Sequence, residues 1–281
     1  MVKFFLVLVV LFSFSFADDI DNTSSDDPLT QKIKTLIDMD LYKQNKAYID
    51  IIFSPPSEYY DGDMVNAVKV VQTLKENGLL DLFFKKPQEL NLSFKTSGAP
   101  LFFVKIMGDT LRNIGYYRYV TKESTLNSSE FIWTISLTSE YATDPLVLQK
   151  ELQKSGCSII DVQRNSATDW SYVIDMRGGY LNLPVLHNGT KIKLRRSLYA
   201  HWLDVSQVKK LKIYSSSRNS WYPYIAYYDS SLHLLKVIRR DSKKRNIALD
   251  VPSGARYVKI SDIYTLKNIK DALVLTPLGT R

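Results

Sequence analysis

Residues 144–179 read DPLVLQKELQKSGCSIIDVQRNSATDWSYVIDMRGG, and the division of this stretch decides most of the architecture. Asp144-Pro145 suits a helix start, since a carboxylate can cap free backbone N–H groups and proline needs no N–H in the first turn. Helical text then runs to Gly156, where a glycine can take the left-handed conformation that ends a helix. Two strand-like runs follow, CSIIDVQRNSAT and WSYVIDM. The unit is therefore helix, glycine stop, hairpin.

The same order occurs twice upstream. DMVNAVKVVQTLKENG carries Val65, Val68, Val71 and Leu74 on one face and stops at Gly78, with LLDLFF and ELNLSFKTS expected as strands after it. PLFFVKIMGDTLRNIG stops at Gly115 and leads into YYRYVTKEST and EFIWTISLTSE. A lone αββ unit has too little core to stand by itself, so about three copies (29–177) should pack in tandem or as one layer of sheet and helices. In pattern this order resembles the small α/β modules strung along periplasmic assembly and secretion proteins. Before the units, Pro28 opens a helix with Ile33, Leu36, Ile37 and Leu41 at helical spacing, and AYIDIIF (47–53) reads as a strand ended by Ser54-Pro55-Pro56.

Composition changes at Arg177-Gly178-Gly179. From Gly178 onward there are 19 Lys and Arg against 6 Asp, a net of +13, whereas the preceding residues hold 18 against 23, a net of −5. All 12 phenylalanines lie at or before Phe131. We therefore expect a domain division here, with 178–281 a basic, tyrosine-rich β-sandwich. Its strand candidates are KIKLRRSLYA, VKKLKIYSS, WYPYIAYYD, LHLLKVIRR and ARYVKIS, separated by Ser, Asn, Gly and Pro clusters. The fold class expected for the whole chain is α+β.

Three short motifs carry a resemblance in this second half: Val205-Ser206, Tyr227-Tyr228-Asp229, and Pro252-Ser253-Gly254-Ala255-Arg256-Tyr257-Val258-Lys259. Together they resemble the galactose-binding-like, or carbohydrate-binding-module-like, jelly-roll domains over about 70 residues. The resemblance implies a jelly-roll sandwich. The chain departs from the family after Asp229, where SSLHLL replaces a glycine-containing turn.

SRNSWYPYIAYYDSS (217–231) concentrates aromatic rings beside an arginine. With Ile225 facing the core, strand alternation sends Pro223 and Tyr227 inward and Tyr222, Tyr224 and Tyr228 outward. Two readings stand open. Trp221 and Tyr227 fill the core and the other tyrosines stack on neighbouring strands, or Trp221, Tyr222, Tyr224 and Tyr228 form a platform on which Arg218 and Asn219 hydrogen-bond a glycan or polyanion. Alternation also turns Lys210, Lys212 and Tyr214 outward, opposite Leu211 and Ile213, and Tyr257 and Lys259 outward, opposite Val258 and Ile260. Arg239, Arg240, Lys243, Lys244 and Arg245 extend this basic surface in a loop. A domain of +13 attracts anionic envelope surfaces.

The first 17 residues have the form of a secretory signal cleaved after Ala17: Lys3, an apolar run from Phe4 to Phe16, and the small residues Ser15 and Ala17 at the cleavage positions. An acidic lead-in (18–28) follows, and no transmembrane segment is expected in the mature chain. A single cysteine, Cys157, excludes an intrachain disulfide and reads as a buried thiol. Together these point to a bacterial periplasm. Asn-x-Ser/Thr occurs at Asn22, Asn91, Asn127 and Asn188, and Glu89-Leu-Asn91-Leu-Ser93 fits an acidic-extended sequon, which makes Asn91 a candidate glycosylation site. His187, His201 and His233 match no metal spacing, and no nucleophile motif is present, so no metal, cofactor or catalytic residue is assigned. The expectation is a non-enzymatic periplasmic scaffold or adaptor, a subunit of a cell-envelope assembly of flagellar-motor or secretion type. Its partners would be envelope proteins, with self-association open and nucleic acid excluded by export. The alternative is an envelope-glycan-binding protein using the C-terminal jelly roll.

Overall fold

The computed structural model describes residues 27–281. The expected signal peptide, the Asn22 sequon and nearly all of the acidic lead-in lie outside these residues. Helix α1 (Pro28–Leu36) is capped by Asp27, whose carboxylate accepts from the Leu29 and Thr30 N–H groups at 3.0 and 3.1 Å. Two short helices follow, α2 (Met39–Gln44) and α3 (Lys46–Ile52). The expected strand at 47–53 is thus a helix. Ile49 and Phe53, one turn apart, are buried while Ile51 is exposed, which is the spacing of a helix face and not of a pleat.

A small hairpin, β1 (Tyr60–Asp61) and β2 (Met64–Val65), precedes α4 (Ala67–Glu76). Then come β3 (Phe83–Thr96), α5 (Pro100–Asn113), β4 (Val120–Leu126), β5 (Phe131–Tyr141), α6 (Pro145–Gln153), β6 (Ser158–Ser166) and β7 (Asp169–Asp175). The five longer strands form one sheet in the order β4-β5-β3-β7-β6. Central β3 runs antiparallel to β5 and parallel to β7, so a hairpin flanks it on each side. LLDLFF does not make a separate strand. Leu79, Leu80 and Leu82 are buried where the chain leaves α4, and the pairing of β3 with β5 is irregular between Phe83 and Gln88. The first unit therefore supplies one strand where two were expected.

At the end of α6, Gly156 takes φ +66°, and a Cβ there would lie 2.2 Å from the Gly178 carbonyl oxygen. Any other residue must move the backbone.

Beyond this turn lie β8 (Ile192–Leu194), β9 (His201–Asp204), β10 (Val208–Ser215), β11 (Pro223–Tyr228), β12 (Leu234–Arg239), β13 (Asn246–Asp250), β14 (Tyr257–Asp262) and β15 (Leu273–Thr280). They form two antiparallel four-stranded sheets, β13-β10-β15-β8 and β12-β11-β14-β9. Leu211, Ile213, Leu273 and Leu275 of the first sheet meet Ile225, Tyr227, Val258 and Ile260 of the second in a shared core. Strands β9, β13 and β15 were not singled out in the sequence, and KIKLRRSLYA keeps only three residues of strand. Helices and mostly antiparallel strands make the chain α+β.

The two parts meet through the outer face of the second sheet. Leu232 and Tyr257 are buried in the core built by residues 29–181, and the Leu181 N–H donates to the Tyr257 hydroxyl at 3.5 Å. Leu232 is also the one described non-glycine residue at positive φ, +63°. It sits in the turn where the sequence lacks glycine. Among the described residues no helix is long and apolar enough to cross a membrane.

Candidate binding groove

The aromatic stretch 217–231 does not assemble as a platform. Trp221 is 1% exposed, and its indole N–H donates to the Ser261 carbonyl at 2.8 Å. Asn219 is 7% exposed; its amide donates to Ser215 Oγ and the Ala272 carbonyl, and its oxygen accepts from the Asp271 N–H. Both are structural, because buried polar groups must find partners and these have found backbone. Arg218 is exposed and pairs with Asp271 at 3.2 Å. Tyr222 meets Tyr264 edge-to-face, with ring centres 5.0 Å apart. Tyr224 and Tyr228 share the outer face of β11, half-buried.

Nor do the expected cations form one surface. Lys210 and Lys212 lie on the outer face of the first sandwich sheet, with Tyr214 exposed beside them, and Lys259 lies on the outer face of the other sheet. Arg239, expected in a loop, is the exposed last residue of β12; in the loop that follows, Arg240, Lys243 and Arg245 are exposed and Lys244 is half-buried. Tyr257, expected outside, is buried because the sheet face it occupies is covered by the first part of the chain. Asn91 is half-buried on central β3 and hydrogen-bonded into the sheet, not on an exposed loop. Cys157 is buried, and burial pushes its thiol up to about 11.

What the two parts do build is a groove. Helix α5 buries Phe102, Phe103, Ile106, Met107 and Leu111 against the sheet. Its opposite side presents Lys105, Gly108, Asp109 and Arg112, spaced at three and four residues so that they line one stripe. Across from this stripe stand Tyr199 in the loop before β9, Trp202 on β9, Tyr228 on β11 and Lys259 on β14. Tyr119 closes the floor. This hollow measures about 810 Å³. A second hollow of about 670 Å³ adjoins it, sharing Gly108, Arg112, Tyr119 and Tyr199 and lined further by Glu89, Tyr117, Arg118 and Lys122.

Rings hold the cations. The Lys105 ammonium lies 5.2 Å and the Lys259 ammonium 5.8 Å from the centre of the Trp202 ring, while the Arg112 guanidinium stacks 4.3 Å from Tyr199. Tyr228 supports Trp202 from the side, with centres 5.1 Å apart. Asp109 pairs with both Lys105 and Arg112, and Glu89 with Lys122 at 3.0 Å. Lys259 has no carboxylate partner among the described residues. Burial draws the Lys105 ammonium below the ordinary lysine value, Asp109 opposes this, and Lys259 adds to the lowering. Burial likewise lowers His201 and raises Tyr119. A desolvated cation beside a second, unneutralised one gains from an incoming anion.

Of the six residues expected in the aromatic site, only Tyr228 reaches this groove. The signal for the rest was the pattern Lys105-x-x-Gly108-Asp109-x-x-Arg112 on the helix face opposite the apolar one. The histidines stand apart: His187 bonds Gln207, His233 bonds Asp229, and His201 lines the groove. Among the described residues no three His, Cys, Asp or Glu side chains cluster to hold a metal. No family model matches the chain, and no curated protein or solved structure matches it.

Proposed function

We propose that this is an exported, periplasmic, non-enzymatic adaptor of the bacterial cell envelope, acting by binding, with the groove between its two parts as the contact surface. The observation that supports a binding role is the cation set on the aromatic wall: Lys105 and Arg112 from the first part and Lys259 from the second are held over Trp202 and Tyr199 of the second, and only Asp109 answers them. Cations positioned in a half-desolvated cleft attract and orient anionic partners. In this reading the C-terminal sheets are the jelly roll that the sequence motifs suggest, docked on αββ-type units. The direct test is co-sedimentation of the full chain with cell-wall and outer-membrane fractions over a salt series. Retention in at least one fraction at physiological salt is expected, and no retention in any fraction would end the reading.

A second reading, a structural subunit of an envelope assembly making protein contacts only, is favoured by two edge strands. Strand β4 is exposed along its whole length, and β12 exposes Leu234, Leu235 and Val237. Unpaired edges of this kind accept a partner strand. Crosslinking in cells that captures one protein complex through β4 or β12, with no envelope co-sedimentation, would favour it.

A further inference from the structure

We propose that the groove binds an acidic glycan, several sugar units of which lie across both hollows; this rests on the adaptor reading and specifies its ligand. Three features of the lining select that chemistry. First, the shape suits a chain. The two hollows share Gly108, Arg112, Tyr119 and Tyr199 in their walls, and a Cβ at Gly108 would lie 3.5 Å from the Tyr119 hydroxyl. Glycine leaves the passage over this contact unobstructed.

Second, the lining is mixed. Lys105, Lys259, Arg112 and Arg118 call for carboxylate or phosphate groups. Asp109 and Glu89 lie in the same walls and call for donors. A sugar acid supplies acidic groups and hydroxyl donors together. A DNA phosphodiester backbone, charged at every unit as a polyuronate is, offers no hydroxyl donors along its length to meet Asp109 and Glu89.

Third, the polar edges come from Tyr117, Tyr119, Tyr199 and Tyr228, residues that pair an apolar body with a hydroxyl. Burial holds Tyr119 and Tyr228 protonated well past neutral pH, so both remain donors.

The test is calorimetric titration of the full chain with hexagalacturonate, with phosphomannan fragments of similar length as a second arm and neutral cellohexaose as the control. Binding of at least one acidic oligomer is expected, and the tighter one identifies the acidic group. Cellohexaose should bind at least tenfold more weakly. Lys259→Met should weaken the acidic ligand about tenfold, and Gly108→Gln, a good helix former that fills the passage, should remove binding with an unchanged circular dichroism spectrum. Tripolyphosphate or single-stranded DNA binding as tightly as the acidic oligomers would overturn the glycan assignment, as would equal affinity for cellohexaose. Envelope co-sedimentation that survives both substitutions would refute the groove as the ligand site while leaving the adaptor reading intact. Loss of envelope binding by the unmodified chain would remove the adaptor reading itself.

Discussion

The Lys105 ammonium on helix α5 lies over the Trp202 ring on strand β9, 5.2 Å from its centre, so one aromatic side chain joins the helix-covered sheet to the sandwich. Lys259 approaches the same ring, and Tyr228 packs beside it. Replacing Trp202 by alanine removes the ring from two cations and uncovers Tyr228. For a half-buried tryptophan we expect a loss of about 2 kcal/mol, of which a cation–π contact accounts for roughly 0.5–1. Trp202→Phe should recover about half. Urea unfolding followed by circular dichroism reads both values, and an unchanged midpoint for Trp202→Ala would mean that the contact contributes nothing.

His201, next to that tryptophan, gives stability a pH dependence. Burial lowers its pKa from 6.5, so the unfolded chain takes up the proton at a higher pH than the native protein does. Stability is therefore complete above about 6.5 and falls as pH drops through that value, until the native imidazole also protonates. The melting temperature should decline between pH 7 and pH 5 more steeply for the natural protein than for His201→Gln. Parallel curves would assign the acid sensitivity to other groups.

The aromatic stretch supplies a paired comparison. Trp221 is enclosed and hydrogen-bonded to Ser261, whereas Tyr224 lies half-buried on the outer face. Trp221→Ala should cost about 3–5 kcal/mol and Tyr224→Ala about 1 kcal/mol or less. Differential scanning calorimetry separates them, and comparable losses would contradict the burial of Trp221.

Much of the α+β character was legible because amphipathic spacing and turn chemistry are local. The helix stops at Gly78, Gly115 and Gly156 are glycines at positive φ. In β10, alternation placed Leu211 and Ile213 inside and Lys212 and Tyr214 outside, as found. Alternation says only which residues share a face, not what covers it. Tyr257 was placed correctly off the sandwich core, yet it is buried by the other part of the chain. Trp221 stood open between core and platform, and Asn219 read as a platform residue, because their backbone partners, Ser261 and Ala272, are about 40–50 residues away. The groove needs the stripe on α5 and the outer face of a sheet nearly 100 residues later, a juxtaposition that no window of sequence contains. Its helical half was readable as Lys105, Gly108, Asp109 and Arg112, but nothing local distinguishes such a stripe from a solvated face.

The turn between β11 and β12 carries the most specific expectation. Leu232 holds φ +63°, a conformation that costs a residue with a Cβ about 1–2 kcal/mol, and its side chain is 5% exposed in the core of the first part. The burial offsets the backbone cost. Leu232→Gly loses the side chain but relieves the backbone, while Leu232→Ala loses most of the side chain and keeps the strain. Deleting a buried leucine costs about 2–5 kcal/mol, so both variants should be destabilised. Glycine should nonetheless be the more stable by about 1 kcal/mol, the reverse of the usual order in helices and strands. Denaturant midpoints for the three proteins test this directly. Alanine ranking above glycine would show that the left-handed turn carries no strain, and that Leu232 acts through packing alone.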